Sequence, residues 1–187
     1  MGEYYSTKAK DRVPIGQKLA VGAGGFPIQN GGLIVQYMAQ PIFQIFLGLN
    51  PALFGLAMTI PRIWDAFTDP VMGRISDRTQ SRYGRRRPYV FVGALAVALT
   101  FLTIWMVPQS MGDTGTFLWL TIGSVLFFTA FTVFSVPFNA LVYEQTPDYH
   151  ERTRLMFYLA LFYNIGNLCV NWYVPATNWS CLLYTSD

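Results

Sequence analysis

Charge is scarce in this sequence: Asp, Glu, Lys and Arg make up 12% of it, against 52% apolar and 17% aromatic residues. That is about half the charged fraction of a soluble globular domain. Scarcity becomes complete absence in four windows, Leu19–Pro61, Pro88–Gly112, Thr114–Tyr143 and Leu155–Ser186, which hold 43, 25, 30 and 32 residues. A helix that spans a bilayer needs only about 20. A soluble enzyme core and a nucleic-acid module are excluded on these grounds. Cysteine is nearly missing too, and Cys169 and Cys181 alone give neither a disulfide framework nor a thiolate metal site. Histidine is represented by His150 alone. The stretch from Met1 to Arg12 is polar and has neither the short apolar core nor the small-residue cleavage site of a signal peptide, so the first apolar helix is expected to be retained.

What is present is long apolar segments separated by breakers and charges. They predict an all-α polytopic membrane protein with spans at about 17–47, 52–75, 89–107, 117–142 and 154–174, preceded by a polar segment, 1–16. Cytoplasmic loops collect Lys and Arg. Lys8, Lys10, Arg12 and Lys18 precede the first span, six arginines from Arg74 to Arg87 follow the second, and Arg152 and Arg154 precede the fifth. The alternate connections, Gly48–Pro51 and Pro108–Thr116, contain no Lys or Arg. This asymmetry places the N-terminus on the cytoplasmic side of a plasma (inner) membrane. The last residues, Cys181 to Asp187, back-translate to codons that resemble a transposase-type sequencing adapter read in frame, so native sequence is expected to end near Ser180.

Residues three, four and seven apart share a helix face, and the polar side chains fall into such stripes. The first span carries Gln29, Gln36 and Gln40, with Asn30 beside the first and Gln44 a turn beyond the last. The second carries Arg62, Asp65 and Asp69; the fourth, Thr132, Ser135 and Asn139; the fifth, Asn164, Asn167 and Asn171. Lipid offers no hydrogen-bond partner, so amides at membrane depth must find one in the protein or in a wet cavity. A shared cavity lined by four stripes, with the third span outside against lipid, is one arrangement. A dry bundle joined by interhelical hydrogen bonds is the other.

The second span poses the sharper question. An Asp or Arg at the bilayer centre costs about 2.5–3.5 kcal/mol on insertion scales, and Arg62, Asp65 and Asp69 together leave one negative charge. Arg62 can neutralise one carboxylate, and the other must take up a proton or a cation. Hard cations prefer oxygen ligands, which Asp65, Asp69, Thr68 and Thr132 can supply. A salt bridge locking two helices is the structural alternative. In the following loop Asp77 stands directly beside Arg78 among the arginines, and a carboxylate there can hold a neighbouring helix end in one conformation and release it in another.

The run Arg62-Ile63-Trp64-Asp65-Ala66-Phe67-Thr68-Asp69-Pro70-Val71-Met72-Gly73, followed by Asp77-Arg78 and Arg85-Arg86-Arg87-Pro88, resembles the glycoside-pentoside-hexuronide:cation symporters of the major facilitator superfamily, typified by melibiose permease. The likeness continues through Ser135-Val136-Pro137-Phe138 and Asp148-Tyr149-His150-Glu151-Arg152-Thr153. It implies twelve spanning helices in two six-helix halves, of which these five spans form most of the N-terminal one. It also implies alternating access, a coupling-cation site at Asp65, Asp69, Thr68 and Thr132, and Arg62 and Trp64 around the same site.

The solute is then expected to meet Gln29, Asn30, Arg62, Trp64, Ser135, Asn139, Asn164 and Asn167, while Asp77, Arg78, Arg85, Arg86, Glu151 and Arg152 form a gating set. The family's sugar-contacting aspartate and tryptophan in the fourth helix are Ser135 and Asn139 here, the charged first-helix residue is replaced in the Gln29-Asn30 region, and a fifth-helix arginine aligns near Ala160. The expected activity is cation-coupled symport, on Na+ or H+ with Li+ allowed, of a sugar, glycoside or related polar solute. A relative that moves a lipid-like solute, or a non-transporting sensor, is the alternative. No cofactor, no metal beyond the coupling cation, no nucleic acid and no enzymatic activity are expected. The expected partners are the solute, membrane lipid and a missing C-terminal half, without which the chain is expected to be inactive.

Overall fold

The computed structural model describes residues 12–82, 84–108 and 112–184, excluding the side chains of Gln29 and of 173–184. The described residues are helical with no strand. In chain order the helices are α1 (Ile15–Ala39), α2 (Pro51–Arg78), α3 (Arg87–Trp105), α4 (Asp113–Glu144) and α5 (Tyr149–Tyr184), and a π-helical segment, Gln40–Phe46, prolongs α1.

Local chemistry accounts for the helix ends. Asn50 caps α2, its Oδ1 accepting from the Ala52 N–H at 2.8 Å, and Pro51 occupies the first turn, where no N–H is needed. Gly48, at φ 70°, takes the left-handed conformation that reverses the chain just before this cap. Asp148 plays the capping part for α5 by accepting from the His150 N–H at 2.8 Å. Asp113 opens α4, where a negative charge is favourable.

The π-helical segment departs from the reading of the first span as one α-helical face. Pro41 lies in its first turn, and the Leu47 N–H reaches the carbonyl of Ile42, five residues back.

The chain folds as two compact units, Val35–Leu141 and a second one that joins the first part of α1 to the chain from Val142 onward. In the Val35–Leu141 unit an apolar core forms around Val35, Phe43, Leu49, Ile104, Leu120 and Phe127. The Phe127 ring stacks on Phe131 at 6.0 Å and meets Phe128 edge-on at 5.4 Å. α3 and α4 are long and apolar enough to cross a membrane. α3 buries only Gly93 and Ile104 and exposes Phe91, Val92, Leu95, Leu99 and Leu102, a surface suited to lipid. In the other unit Gly22 and Gly25 of α1 lie under Phe162, Leu159 and Tyr163 of α5, a small-residue seam of the kind that lets membrane helices approach closely.

Candidate functional site

In the Val35–Leu141 unit, α2 carries Asp65, Thr68 and Asp69 of the four residues expected to bind a cation, and α4 carries Thr132. Asp65 and Asp69 are one turn apart on α2 and share a face. Thr132, buried on α4, donates its hydroxyl to Asp69 Oδ1 at 2.9 Å. Thr68 turns its hydroxyl hydrogen back to the helix, to the carbonyls of Trp64 (3.3 Å) and Asp65 (3.4 Å), which leaves its oxygen lone pairs available. Asp65 Oδ1 is buried and has no hydrogen-bond partner. A carboxylate oxygen without a partner is costly to bury, and a proton or a monovalent cation satisfies it directly.

Arg62 does not neutralise either carboxylate through an ion pair. Its guanidinium lies 4.7 Å from the centre of the Phe128 ring, an arrangement that holds a cation by the ring's quadrupole, and it acts on Asp65 by charge without contact. Trp64 also reaches α4, its indole N–H donating to Thr129 Oγ1 at 3.0 Å. Thr129 and Phe128 are absent from the sequence expectation, although Thr129 lies three residues before Thr132 and so extends the same polar stripe. Ser135 and Asn139 follow on that stripe, half-buried.

The remaining expected solute residues belong to the other unit. Asn30 is fully buried, donates to the Phe26 carbonyl at 2.9 Å and keeps Oδ1 without a partner. Asn164 is exposed and bonded back to Ala160, and Asn167 accepts from Asn171 at 3.1 Å. The Gln29 side chain lies outside the described residues.

The gating residues divide in the same way. Asp77 pairs with Arg86, which stands at the N-terminal boundary of α3. Arg78 and Arg85 are exposed. In the other unit Glu151 does not pair with Arg152, whose guanidinium donates to the Thr146 carbonyl at 3.2 Å. Glu151 instead accepts from Lys18 and from the Val13 N–H (3.3 Å), and lies 3.4 Å from Arg154. Lys18, read from sequence only as a topology signal, is thus a buried ion-pair partner.

The Lys18 ammonium bonded to Glu151 holds that carboxyl below its ordinary range, against the opposing effect of burial. A carboxyl whose folded pKa is depressed contributes stability that is present above its unfolded pKa and lost as pH falls through the folded one. Wild type is therefore expected to unfold at a higher temperature than Glu151→Gln at pH 7, and the gap should close on acidification below about pH 4, the unperturbed carboxylate range. Thermal unfolding of both proteins across that pH range checks this, and a gap that does not change with pH would refute it.

Residues 20–177 match the family described as MFS/sugar transport protein. Among curated relatives, the chain is 36% identical over 144 residues to an uncharacterized symporter of Synechocystis sp., covering 74% of this chain and 26% of that one. It is 31% identical over 149 residues to the mouse sodium-dependent lysophosphatidylcholine symporter 1, covering 78% and 28%. With a putative glycoside/cation symporter of Escherichia coli it shares 27% identity over 157 residues, covering 84% and 33%. The chain thus spans about a quarter to a third of the length of these relatives.

Proposed function

Since the chain belongs to the MFS/sugar transport protein family of membrane proteins, we propose that it forms the cation-coupling part of a secondary symporter that works by alternating access. The observation that carries this reading is the unpartnered, buried Asp65 oxygen one turn from Asp69, whose own oxygen is held by Thr132. The coupling ion, Na+, Li+ or a proton, binds there and offsets the repulsion between the two carboxylates, which stabilises one conformation over the other. The solute is a sugar, glycoside or related polar compound, met in the Val35–Leu141 unit by Ser135 and Asn139, and a second six-helix half completes its site. Asp77 with Arg86 acts as a gate on the cytoplasmic side.

A lipid-like solute is the second reading. It is favoured by a groove of about 390 Å³ between α2 and α4, whose walls include Trp64, Phe67, Val71, Met72 and Ile75, and by the neutral residues at Ser135 and Asn139. Uptake by the intact transporter that carries this sequence, with methyl galactoside and lysophosphatidylcholine offered separately under an imposed Na+, Li+ or proton gradient, distinguishes the two. Accumulation of neither solute above empty vesicles under any gradient would count against symport of either kind.

The charge of the arginine-rich connection from Arg74 to Arg87 supports a cytoplasmic position for it. With Cys169 and Cys181 replaced by Ser, an impermeant maleimide applied to intact cells should label Thr114→Cys and spare Gln80→Cys. The reverse pattern would invert the topology.

A further inference from the structure

Among the described residues, two side-chain hydrogen bonds cross from α2 to α4. One is Thr132 to Asp69, within the proposed cation site; the other, Trp64 to Thr129, touches no proposed cation ligand. Around α2, positions 64 and 69 are separated by ~140° and by ~7.5 Å along the axis, while positions 129 and 132 are only ~60° apart around α4. The two threonine hydroxyls of α4 therefore grip α2 on opposite flanks. Turning α2 in either direction would stretch one of the two bonds.

Thr129 is suited to this part. Its own hydrogen is committed to the Val125 carbonyl at 2.7 Å, which leaves the oxygen lone pairs to receive the indole N–H. The indole of Trp64 is nearly half exposed, so its ring is not fixed by packing alone, and the hydrogen bond sets its direction. A second contact of the same helix pair, Arg62 over Phe128, lies beside Thr129 in sequence. Both attach the same part of α2 to the same turn of α4.

We infer that Thr129 is a positioning residue for the cation site: by holding the Trp64 indole it sets the rotation and depth of α2 against α4, so that Thr132 meets Asp69 and the free Asp65 oxygen is presented with it. This inference rests on the reading of Asp65, Asp69 and Thr132 as the cation site. Trp64 then acts through Thr129 as a helix register pin rather than through a contact with the solute by its N–H.

The test is equilibrium binding of the coupling cation to the purified intact transporter, read with radioactive Na+ or, where wild type takes none, by proton uptake. Thr129→Val keeps the shape and removes the acceptor. It should weaken cation affinity roughly 3- to 10-fold, the worth of one hydrogen bond, whereas Thr129→Ser should bind as wild type does. Trp64→Phe removes the same bond from its other end and should weaken binding similarly. The double variant Trp64→Phe/Thr129→Val should be no weaker than either single one, because the two changes delete one interaction. Should Thr129→Val fail to fold, Trp64→Phe carries the same test.

Asp69→Asn separates the layers of the argument. If it loses cation binding while Thr129→Val and Trp64→Phe bind with wild-type affinity, the positioning role is overturned and the cation site stands. If Asp69→Asn itself binds as wild type does, the site and the positioning role fall together. Lower thermal stability of Thr129→Val with unchanged affinity would reduce Thr129 to a packing residue and overturn the inference.

Discussion

Asp69→Asn is expected to abolish cation-driven accumulation by the intact transporter while leaving solute binding or downhill exchange in place. The substitution is nearly isosteric, and the amide oxygen of Asn can still accept the hydrogen that Thr132 donates at 2.9 Å. The α2–α4 contact should therefore survive and the charge alone be lost. A contact to a charged group is worth about 1.5–3 kcal/mol, so cation affinity should fall roughly 10- to 100-fold at about 1.4 kcal/mol per decade. Asp65→Asn should behave in the same way, since its unpartnered oxygen is the other half of the site. Cation and solute must raise each other's affinity by the same factor, so the variants should also lose the stimulation of solute binding by the cation. Uptake by wild type and both variants under separately imposed Na+, Li+ and proton gradients measures this. Undiminished accumulation by both Asn variants under every gradient would make the pair structural.

A second large effect is expected at Gly93. A methyl group added there would lie 2.7 Å from the backbone nitrogen of Phe134 and 2.8 Å from its Cα. Backbone cannot step aside by changing a rotamer, so Gly93→Ala must push α3 away from α4. Overpacking of this kind costs typically about 1–3 kcal/mol and occasionally more, and shortening Phe134 should not relieve it, because the clash is with the main chain. Gly55→Ala on α2 is the control: nothing lies within 4 Å of its added methyl, and Ala favours a helix by roughly 0.5–1 kcal/mol over Gly. Since Phe134 is two residues from Thr132, displacement of α4 should also weaken cation binding. Size-exclusion profiles after heating, together with cation titration of the survivors, read both effects. A Gly93→Ala protein as heat-stable as wild type would show that the two helices do not need this approach.

Much of the site could be read along single helices. Asp65 and Asp69 are a turn apart, and so are Thr132, Ser135 and Asn139 in their stripe; the helical repeat alone aligns them. The rest was hidden because it depends on pairs of helices. Thr129 looks like any threonine in an apolar span until Trp64 is found against it, and Lys18 looks like a topology charge until Glu151, 133 positions later, is found on it. Arg62 was expected to serve a carboxylate on its own helix, and its further contact with the Phe128 ring of α4 could not be read from that helix alone.

Composition and periodicity by themselves determined the helical membrane class and the polar faces, and the run from Arg62 to Gly73 supplied the resemblance to a family, because each of these is a property of neighbours in the chain. Tertiary structure alone decided that Asp69 is the carboxylate bonded to Thr132 while an oxygen of Asp65 is left over, that Asp77 takes Arg86, and that Gly93 lies against the backbone of α4. The same limit applies to the π-helical segment after α1, where Pro41 marks a break but not its width. Spacing within a helix states which side chains share a face, whereas the partner met by that face depends on the rotation and depth of another helix, which are set by packing among residues far apart in sequence.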